Sequence, residues 1–127
     1  MIALDASALL AFLFREPGHE AVADVLERAC ISTVNLGEVL GRFARDGHDP
    51  VQVLSRLRAS PLEIVPFLAE HAAFSAAILP RTRHLGLALG DRACLALALA
   101  RGIPAWTADR AWTALDLGIS VHCIRKL

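Results

Sequence analysis

The stretch MIALDASALLAFLF, residues 1–14, sets the order of structural elements for the whole chain. Residues 2–4 form a short apolar run, which is typical of a buried strand, and the run ends at Asp5. A helix is predicted over residues 7–14, and Pro17 ends it. A strand that passes directly into a helix is the first half of a β–α–β unit, so the chain opens as an α/β protein does.

Helices separate the later predicted strands, which lie around residues 30–31, 62–65, 105–107 and 119–124. The later helices are predicted over about residues 21–29, 34–45, 69–79, 91–101 and 110–115, with one more starting at Asp49 and Pro50. Strands joined through helices of this length pair in parallel. The sequence therefore predicts one α/β domain over residues 1–127, with three layers, a mainly parallel sheet of four to five strands and about seven helices.

The composition fits this prediction. A chain of 127 residues is long enough for one domain with a core and too short for two ordinary ones. Its apolar fraction of 55% is high for a soluble domain, so part of the apolar surface is expected to form a homodimer or bind a partner. We expect neither a membrane span nor a signal peptide, because no apolar run is long enough and Asp5 interrupts the first one.

Charge and cysteine content indicate how nucleic acid could be bound and in which compartment the protein works. Thirteen basic and thirteen acidic residues balance, so any binding of nucleic acid requires a local patch, which arginines would supply. The three cysteines are far apart in sequence and form no CxxC pair, which is typical of buried thiols in a reducing compartment. A cytoplasmic location is therefore expected.

Four acidic residues fall at corresponding places in the order of elements. Asp5 follows the first strand, and Glu38 lies in the opening turns of the helix after the second. Asp91 opens the helix reached after the third strand, and Asp109 follows the fourth. The carboxyl ends of parallel strands, and the helices that start from them, share one edge of the sheet. The four side chains are therefore expected to converge there.

Each acid also has an ordinary structural interpretation. Asp91 and Asp109 could be helix N-caps, which stabilise a helix by about 1 kcal/mol. Asn35 and Glu38 have the spacing of a capping box, and Arg42 is four residues after Glu38, where a surface ion pair is natural. Asp5 is harder to explain in this way, because a carboxylate at the end of a buried strand loses hydration and needs a partner.

Taken together, the four carboxylates favour a metal site. Such groups repel one another in one pocket unless cations balance them. Ligation by oxygen alone suits Mg²⁺ or Mn²⁺, whereas zinc favours His or Cys, and none of the five histidines has ligand spacing with another His or Cys. Three neutral polar residues, Ser7, Asn35 and Thr107, are close enough in sequence to the acids to orient them or to hold a water.

The sequence resembles the PIN-domain family, and in particular the VapC toxins of bacterial toxin–antitoxin pairs. The similarity covers nearly the whole chain through the segments MIALDASALLAFLF, STVNLGEVL, LGDRACLALALARG and AWTADRAW. It implies an endoribonuclease that depends on Mg²⁺ or Mn²⁺, forms a homodimer, is silenced by a cognate antitoxin, and meets DNA only through that antitoxin. It also implies that the four acids line the metal site and that Ser7, Asn35 and Thr107 support it.

Other interpretations remain at this point. One is an enzyme with Asp5 as the nucleophile, although Ala6 and Ser7 occupy the places where such families usually have a second acid. Another is a PIN-like module that binds RNA or protein without cutting, and a third is a PIN ribonuclease that processes RNA without being a toxin. Four arginines near the predicted site are candidates for phosphate contacts or solvated charges: Arg81, Arg83, Arg92 and Arg110.

Overall fold

The computed structural model of the protein describes residues 1–125. Its five strands form one sheet and are β1 (Ile2–Leu4), β2 (Ala29–Ser32), β3 (Glu63–Val65), β4 (Ala105–Thr107) and β5 (Val121–Cys123). Every pair of neighbouring strands is parallel, in the order β3-β2-β1-β4-β5. The predicted α/β class and the parallel sheet are confirmed.

Seven α-helices connect the strands within the described residues. They are α1 (Ala6–Phe14), α2 (His19–Val25), α3 (Thr33–Arg45), α4 (Pro50–Ala59), α5 (Ala69–Ala77), α6 (Leu79–Thr82) and α7 (Leu89–Arg101). Short 3-10 segments cover Leu26–Arg28, Arg83–Leu85 and Arg110–Ala114. The predicted number of helices is also confirmed, although the last predicted helix is a 3-10 turn.

The sheet separates two apolar cores because side chains of a strand alternate between its faces. Leu4 and Ile31 belong to the core that also contains residues of α1 and α3, whereas Ala3 and Cys30 belong to the other. The second core is filled mainly by α7, in which every residue from Ala93 to Ala98 is buried. Helix α7 is therefore a central element of the second core.

Several element boundaries differ from the sequence prediction. The second helix ends at Val25, and Ala29 already belongs to β2 because it pairs with Ile2. The fifth helix, predicted to run to about residue 79, ends at Ala77, and Pro80 lies in the first turn of α6. Proline is tolerated there because the first N–H groups of a helix have no partner within the helix.

The strand order indicates where along the sheet a ligand would bind. The chain runs outward from β1 through β2 to β3, and then returns to the other side of β1 to form β4 and β5. Ligands of open parallel sheets bind beyond the carboxyl ends of the strands where the order reverses in this way. Here that point lies between β1 and β4, which are followed by Asp5 and Asp109.

None of the helices within residues 1–125 has both the length and the apolar character needed to cross a bilayer.

Candidate active site

Asp5 is a buried carboxylate, only 4% exposed, at the junction of β1 and α1. Its Oδ1 accepts hydrogen bonds from the Ala8 backbone N–H at 2.8 Å and from the Ser7 hydroxyl at 2.7 Å. Its Oδ2 accepts one from the Thr107 hydroxyl at 2.6 Å. Asp5 therefore caps α1 and at the same time binds the end of β4.

The hydrogen-bond network around Asp5 fixes the two neighbouring hydroxyls. The Ser7 Oγ accepts from the Ala108 N–H at 2.9 Å, and the Thr107 Oγ1 accepts from the Asp109 N–H at 3.0 Å. Each hydroxyl oxygen thus accepts a hydrogen bond from a backbone N–H and donates its own proton to the Asp5 carboxylate. Ser7 and Thr107 thus hold Asp5 in place, in the positions expected of supporting residues.

Burial raises the pKa of the Asp5 carboxyl to about 6. The hydrogen bonds from Thr107, Ala8 and Ser7 act in the opposite direction, and the negative charge of Asp91 adds to the increase. A carboxyl group with this pKa is partly protonated close to neutral pH. A cation bound beside it would favour the ionised form.

Glu38 projects from α3 and is held by Asn35, one turn before it. The buried Asn35 Nδ2 donates to Glu38 Oε1 and to the Gly90 carbonyl, both at 2.9 Å. The capping-box interpretation is wrong, because α3 is capped by Ser32, whose hydroxyl accepts from the Val34 N–H at 3.2 Å. Asn35 instead joins α3 to the start of α7.

The expected ion pair between Glu38 and Arg42 is also not formed. The Arg42 guanidinium lies 3.6 Å from the Asp46 carboxylate, one turn further along α3, and packs over the Phe14 ring at 4.7 Å from the ring centre. Phe14 in turn stacks on Phe43, with ring centres 5.1 Å apart. Phe14 of α1 and Asp46 therefore take the contacts of the Arg42 guanidinium that Glu38 was expected to make.

Asp91 and Asp109 both have the helix-capping contacts that were considered as alternatives. Asp91 is the third residue of α7, and its Oδ2 accepts from the Ala88 N–H at 3.0 Å. Asp109 caps the 3-10 segment, and its Oδ1 accepts from the Ala111 N–H at 2.9 Å. Each contact uses one carboxylate oxygen, so capping does not exclude a second role for the other oxygen.

The half-buried Asp91 is electrostatically coupled to its neighbours. Its pKa is raised mainly by burial, with a further contribution from the charge of Asp109, while the Ala88 hydrogen bond and Arg92 act to lower it. Asp91 also contributes to the raised pKa of Asp5. Asp91 is therefore close enough to Asp5 and to Asp109 for their charges to repel.

The described surface divides the acids between two adjoining clefts. Asp5, Glu38 and Asp91 line a cleft of about 570 Å³. Asp109 lines the neighbouring cleft, of about 480 Å³, and Ser7 is common to both. Three of the four predicted acids thus share one cavity, and the fourth lies across Ser7 from them.

The arginines near the acids differ from those suggested by the sequence. Arg42 and Arg45 of α3 line the larger cleft, although neither was predicted there. Among the arginines that were, Arg110 lines the smaller cleft beside Asp109, whereas Arg92 donates to the Ser75 carbonyl at 3.3 Å. Arg81 and Arg83 are exposed and line neither cleft. Spacing from Glu38 along α3 was the signal that could have identified Arg42 and Arg45.

The donor atoms of the larger cleft suit a hydrated hard cation. Within residues 1–125, no three Asp, Glu, His or Cys side chains are close enough together to form a complete metal cage. The cleft does offer carboxylate oxygens and the buried Asn35 Oδ1, which has no hydrogen-bond partner among the described residues. Mg²⁺ binds through few carboxylates and keeps several waters, so these residues fit it, whereas zinc would require His or Cys.

Two comparisons with known proteins address the family. The sequence model of the PIN domain matches residues 2–117. No curated protein sequence matches the chain.

Solved structures share the fold at low sequence identity. A toxin–antitoxin complex from Klebsiella pneumoniae matches with a TM-score of 0.78 and 17% identity over 100% of both chains. FitAcB from Neisseria gonorrhoeae matches with 0.73 and 23% over 98% of both chains. VapC20 from Mycobacterium tuberculosis, described as a toxin that cleaves the sarcin-ricin loop, matches with 0.72 and 18% over 94% of this chain and 99% of that one.

Proposed function

We propose that this chain, which belongs to the PIN-domain family, is a Mg²⁺- or Mn²⁺-dependent endoribonuclease that acts as the toxin of a toxin–antitoxin pair. The observation that carries the proposal is the shared cleft of Asp5, Glu38 and Asp91, with Asp109 directly beside it. These residues come from distant parts of the sequence, and helix capping alone does not require them to meet. The similarity in fold to a toxin described as cutting RNA supports the same conclusion.

The residues of the cleft would divide the work of phosphodiester hydrolysis. When bound, the divalent ion supplies positive charge against the phosphate and promotes ionisation of water for attack on phosphorus. Asp5 is held for cation binding by Ser7 and Thr107. Asn35 orients Glu38. No side chain is required as a nucleophile, so the products are expected to carry 5′-phosphate and 3′-hydroxyl ends.

The sequence around Asp5 disfavours the covalent alternative. Families that use an aspartate nucleophile usually have a second acid beside it or two residues on, and here Ala6 and Ser7 occupy those places. Mass spectrometry should therefore find no aspartyl-phosphate at Asp5 after incubation with phosphorylated substrates.

Exposed apolar side chains support the expected homodimer. Phe74 of α5 is 40% exposed and lines a surface cleft with Ala73 and Ala77 of the same helix. Leu68, just before α5, and Leu89, at the start of α7, are 47% and 53% exposed. A homodimer formed through the apolar face of α5 would cover Phe74. The proposal also includes a cytoplasmic location and a cognate antitoxin. Several solved structures with this fold are toxin–antitoxin complexes bound to DNA, and this chain would contact DNA only through its antitoxin.

The decisive experiment incubates the purified protein with total RNA in Mg²⁺, in Mn²⁺ and in EDTA, and maps the new ends. Cutting in either metal and none in EDTA, with 5′-phosphate ends, is the expected result.

An Asp5→Asn variant should be inactive, while Asp49→Asn, at an exposed N-cap on α4, should cut normally. Cyclic phosphate ends, or cutting that persists in EDTA, would contradict the mechanism. Growth arrest on expression, relieved by co-expression of a cognate antitoxin, separates a toxin from an RNA-processing enzyme.

A further inference from the structure

One face of α3 carries both kinds of charge found in the larger cleft. Glu38, Gly41, Arg42 and Arg45 all line it and are spaced three, four and seven residues apart, so they follow one another along the helix. At 1.5 Å per residue, Arg42 lies about 6 Å and Arg45 about 10 Å beyond Glu38 along the axis. The acidic part of the cleft thus continues into a basic part.

The two arginines are presented differently. Arg42 is held at the wall of the cleft by the Phe14 ring and by Asp46, with 34% of its side chain exposed. Arg45 is exposed and forms no ion pair among the described residues. A guanidinium held at the wall and an exposed one beside it can both donate to phosphate oxygens.

Gly41 leaves the wall between Glu38 and Arg45 open. A Cβ atom added to it would meet nothing within 4 Å, so packing does not require glycine here. A glycine inside a helix costs about 1 kcal/mol relative to alanine. Its backbone conformation does not require glycine either, because its φ is not positive. Gly37 shares these properties but lies outside the cleft, so only at Gly41 does the missing side chain leave room for a ligand of the cleft to pass close to the helix backbone.

We propose that the RNA strand runs along α3 from the acidic site, passes over Gly41, and is held by its phosphates at Arg42 and Arg45. Arginine contacts to phosphates fix the register of a nucleic acid, and these two arginines follow Glu38 along the same helix and line the same cleft. The neighbouring cleft has Arg110 and Arg125 beside Asp109, so the carboxylates lie between two arginine pairs. This inference rests on the proposed ribonuclease function and adds the path of the substrate.

The test uses two glycines of α3 as a matched pair. Gly37 and Gly41 are both exposed, helical and surrounded by open space, but only Gly41 lines the cleft. Replacement of either by leucine should raise the melting temperature, because leucine favours the helix. Only Gly41→Leu should weaken binding of a fluorescein-labelled, random-sequence RNA dodecamer, measured by anisotropy in Ca²⁺, by about tenfold or more. Equal affinity of the two variants would overturn the proposal.

The arginines are tested by the salt dependence of the same binding. Each phosphate contact to a single strand contributes about 0.7 to the slope of log affinity against log salt concentration. The double variant Arg42→Gln, Arg45→Gln should therefore lose about 1.4 from the slope, whereas Arg56→Gln on the exposed face of α4 should leave it unchanged. In cleavage assays the double variant should raise KM and leave kcat nearly unchanged.

The outcomes separate this inference from the proposed function. If the unaltered chain binds the RNA with the expected dependence on Gly41 but cuts no RNA in any metal, the path stands and the ribonuclease proposal fails. If it cuts RNA and both Gly41→Leu and the double arginine variant cut with unchanged KM, the ribonuclease stands and the path is wrong. Failure of the unaltered chain to bind the RNA also overturns the path.

Discussion

The backbone of Gly90, at the start of α7, lies directly against the Glu38 carboxylate of α3, and a Cβ atom at position 90 would overlap that carboxylate. Gly90→Ala should therefore displace Glu38 and lower RNA cleavage by about tenfold or more. The fold should tolerate the change, because the overlapping atoms are the end of an exposed, flexible side chain. We expect the free energy of unfolding, measured in urea, to change by about 1 kcal/mol or less.

Gly37→Ala is the control for this prediction, because its added methyl group enters open space on the same helix. It should keep full cleavage activity. Undiminished activity of Gly90→Ala would show that the position of Glu38 is unimportant.

The pKa of Asp5 predicts how stability depends on pH when metal is absent. The pKa is about 6 in the folded chain and near 3.8 when Asp5 is exposed to water, so between these values the folded state binds the additional proton. The stabilisation of the folded state by this proton is fully present below pH 3.8 and is lost as pH rises through 6. The loss lowers the free energy of unfolding by about 3 kcal/mol. Urea denaturation in EDTA should show this loss for the unaltered chain but not for Asp5→Asn. The prediction would be contradicted if the free energy of unfolding depended on pH in the same way for the unaltered chain and for Asp5→Asn.

Asp91→Asn should abolish cleavage without destabilising the metal-free protein. The amide oxygen can still accept from the Ala88 N–H, while the repulsion with Asp109 and Asp5 disappears. Mg²⁺ at a hundred times its dissociation constant should stabilise the unaltered chain by about 2.7 kcal/mol and the variant much less. Calorimetry with and without Mg²⁺ measures both effects.

Asp49→Asn provides the comparison for Asp91→Asn, because Asp49 caps α4 through the Val51 N–H and lies outside both clefts. It should respond to Mg²⁺ as the unaltered chain does. Clear destabilisation of Asp91→Asn with activity retained would leave capping as the only role of Asp91.

Phe74→Asp should convert a homodimer into a monomer, because it places a charge in the exposed apolar face of α5. Sedimentation velocity at micromolar concentrations measures this directly. Val51→Asp is the control, since Val51 is 71% exposed on α4 and is not part of that face. A monomer at every concentration of the unaltered chain would refute the dimer.

The fold was predictable because its signals are local. Short apolar runs predicted the strands, and apolar residues at helical spacing predicted the helices between them. The order of these elements also predicted that Asp5 and Asp109 share one edge, since Asp5 directly follows β1 and Asp109 comes two residues after the end of β4. The functional roles of the acids stay predictions, although the structure brings three of them into one cleft.

The rest could not be predicted because it depends on contacts between distant residues. Spacing along α3 favoured a pair of Glu38 with Arg42, but Phe14 of α1 and Asp46 compete for the arginine. The contact of Gly90 with Glu38 joins residues that are far apart in sequence. The division of the acids between two clefts depends on Ser7 lying between them, which no pattern in the sequence indicates.

The bond from Thr107 to Asp5 has a consequence for synthesis of the protein. The two residues are 102 positions apart, and β4 pairs with β1 only after most of the chain exists. A nascent chain on the ribosome therefore holds Asp5 without its partner strand, and contacts this distant in sequence form late in folding. The ribosome that makes this protein is itself built of RNA, and the proposed cleavage site is incomplete until β4 has been synthesised.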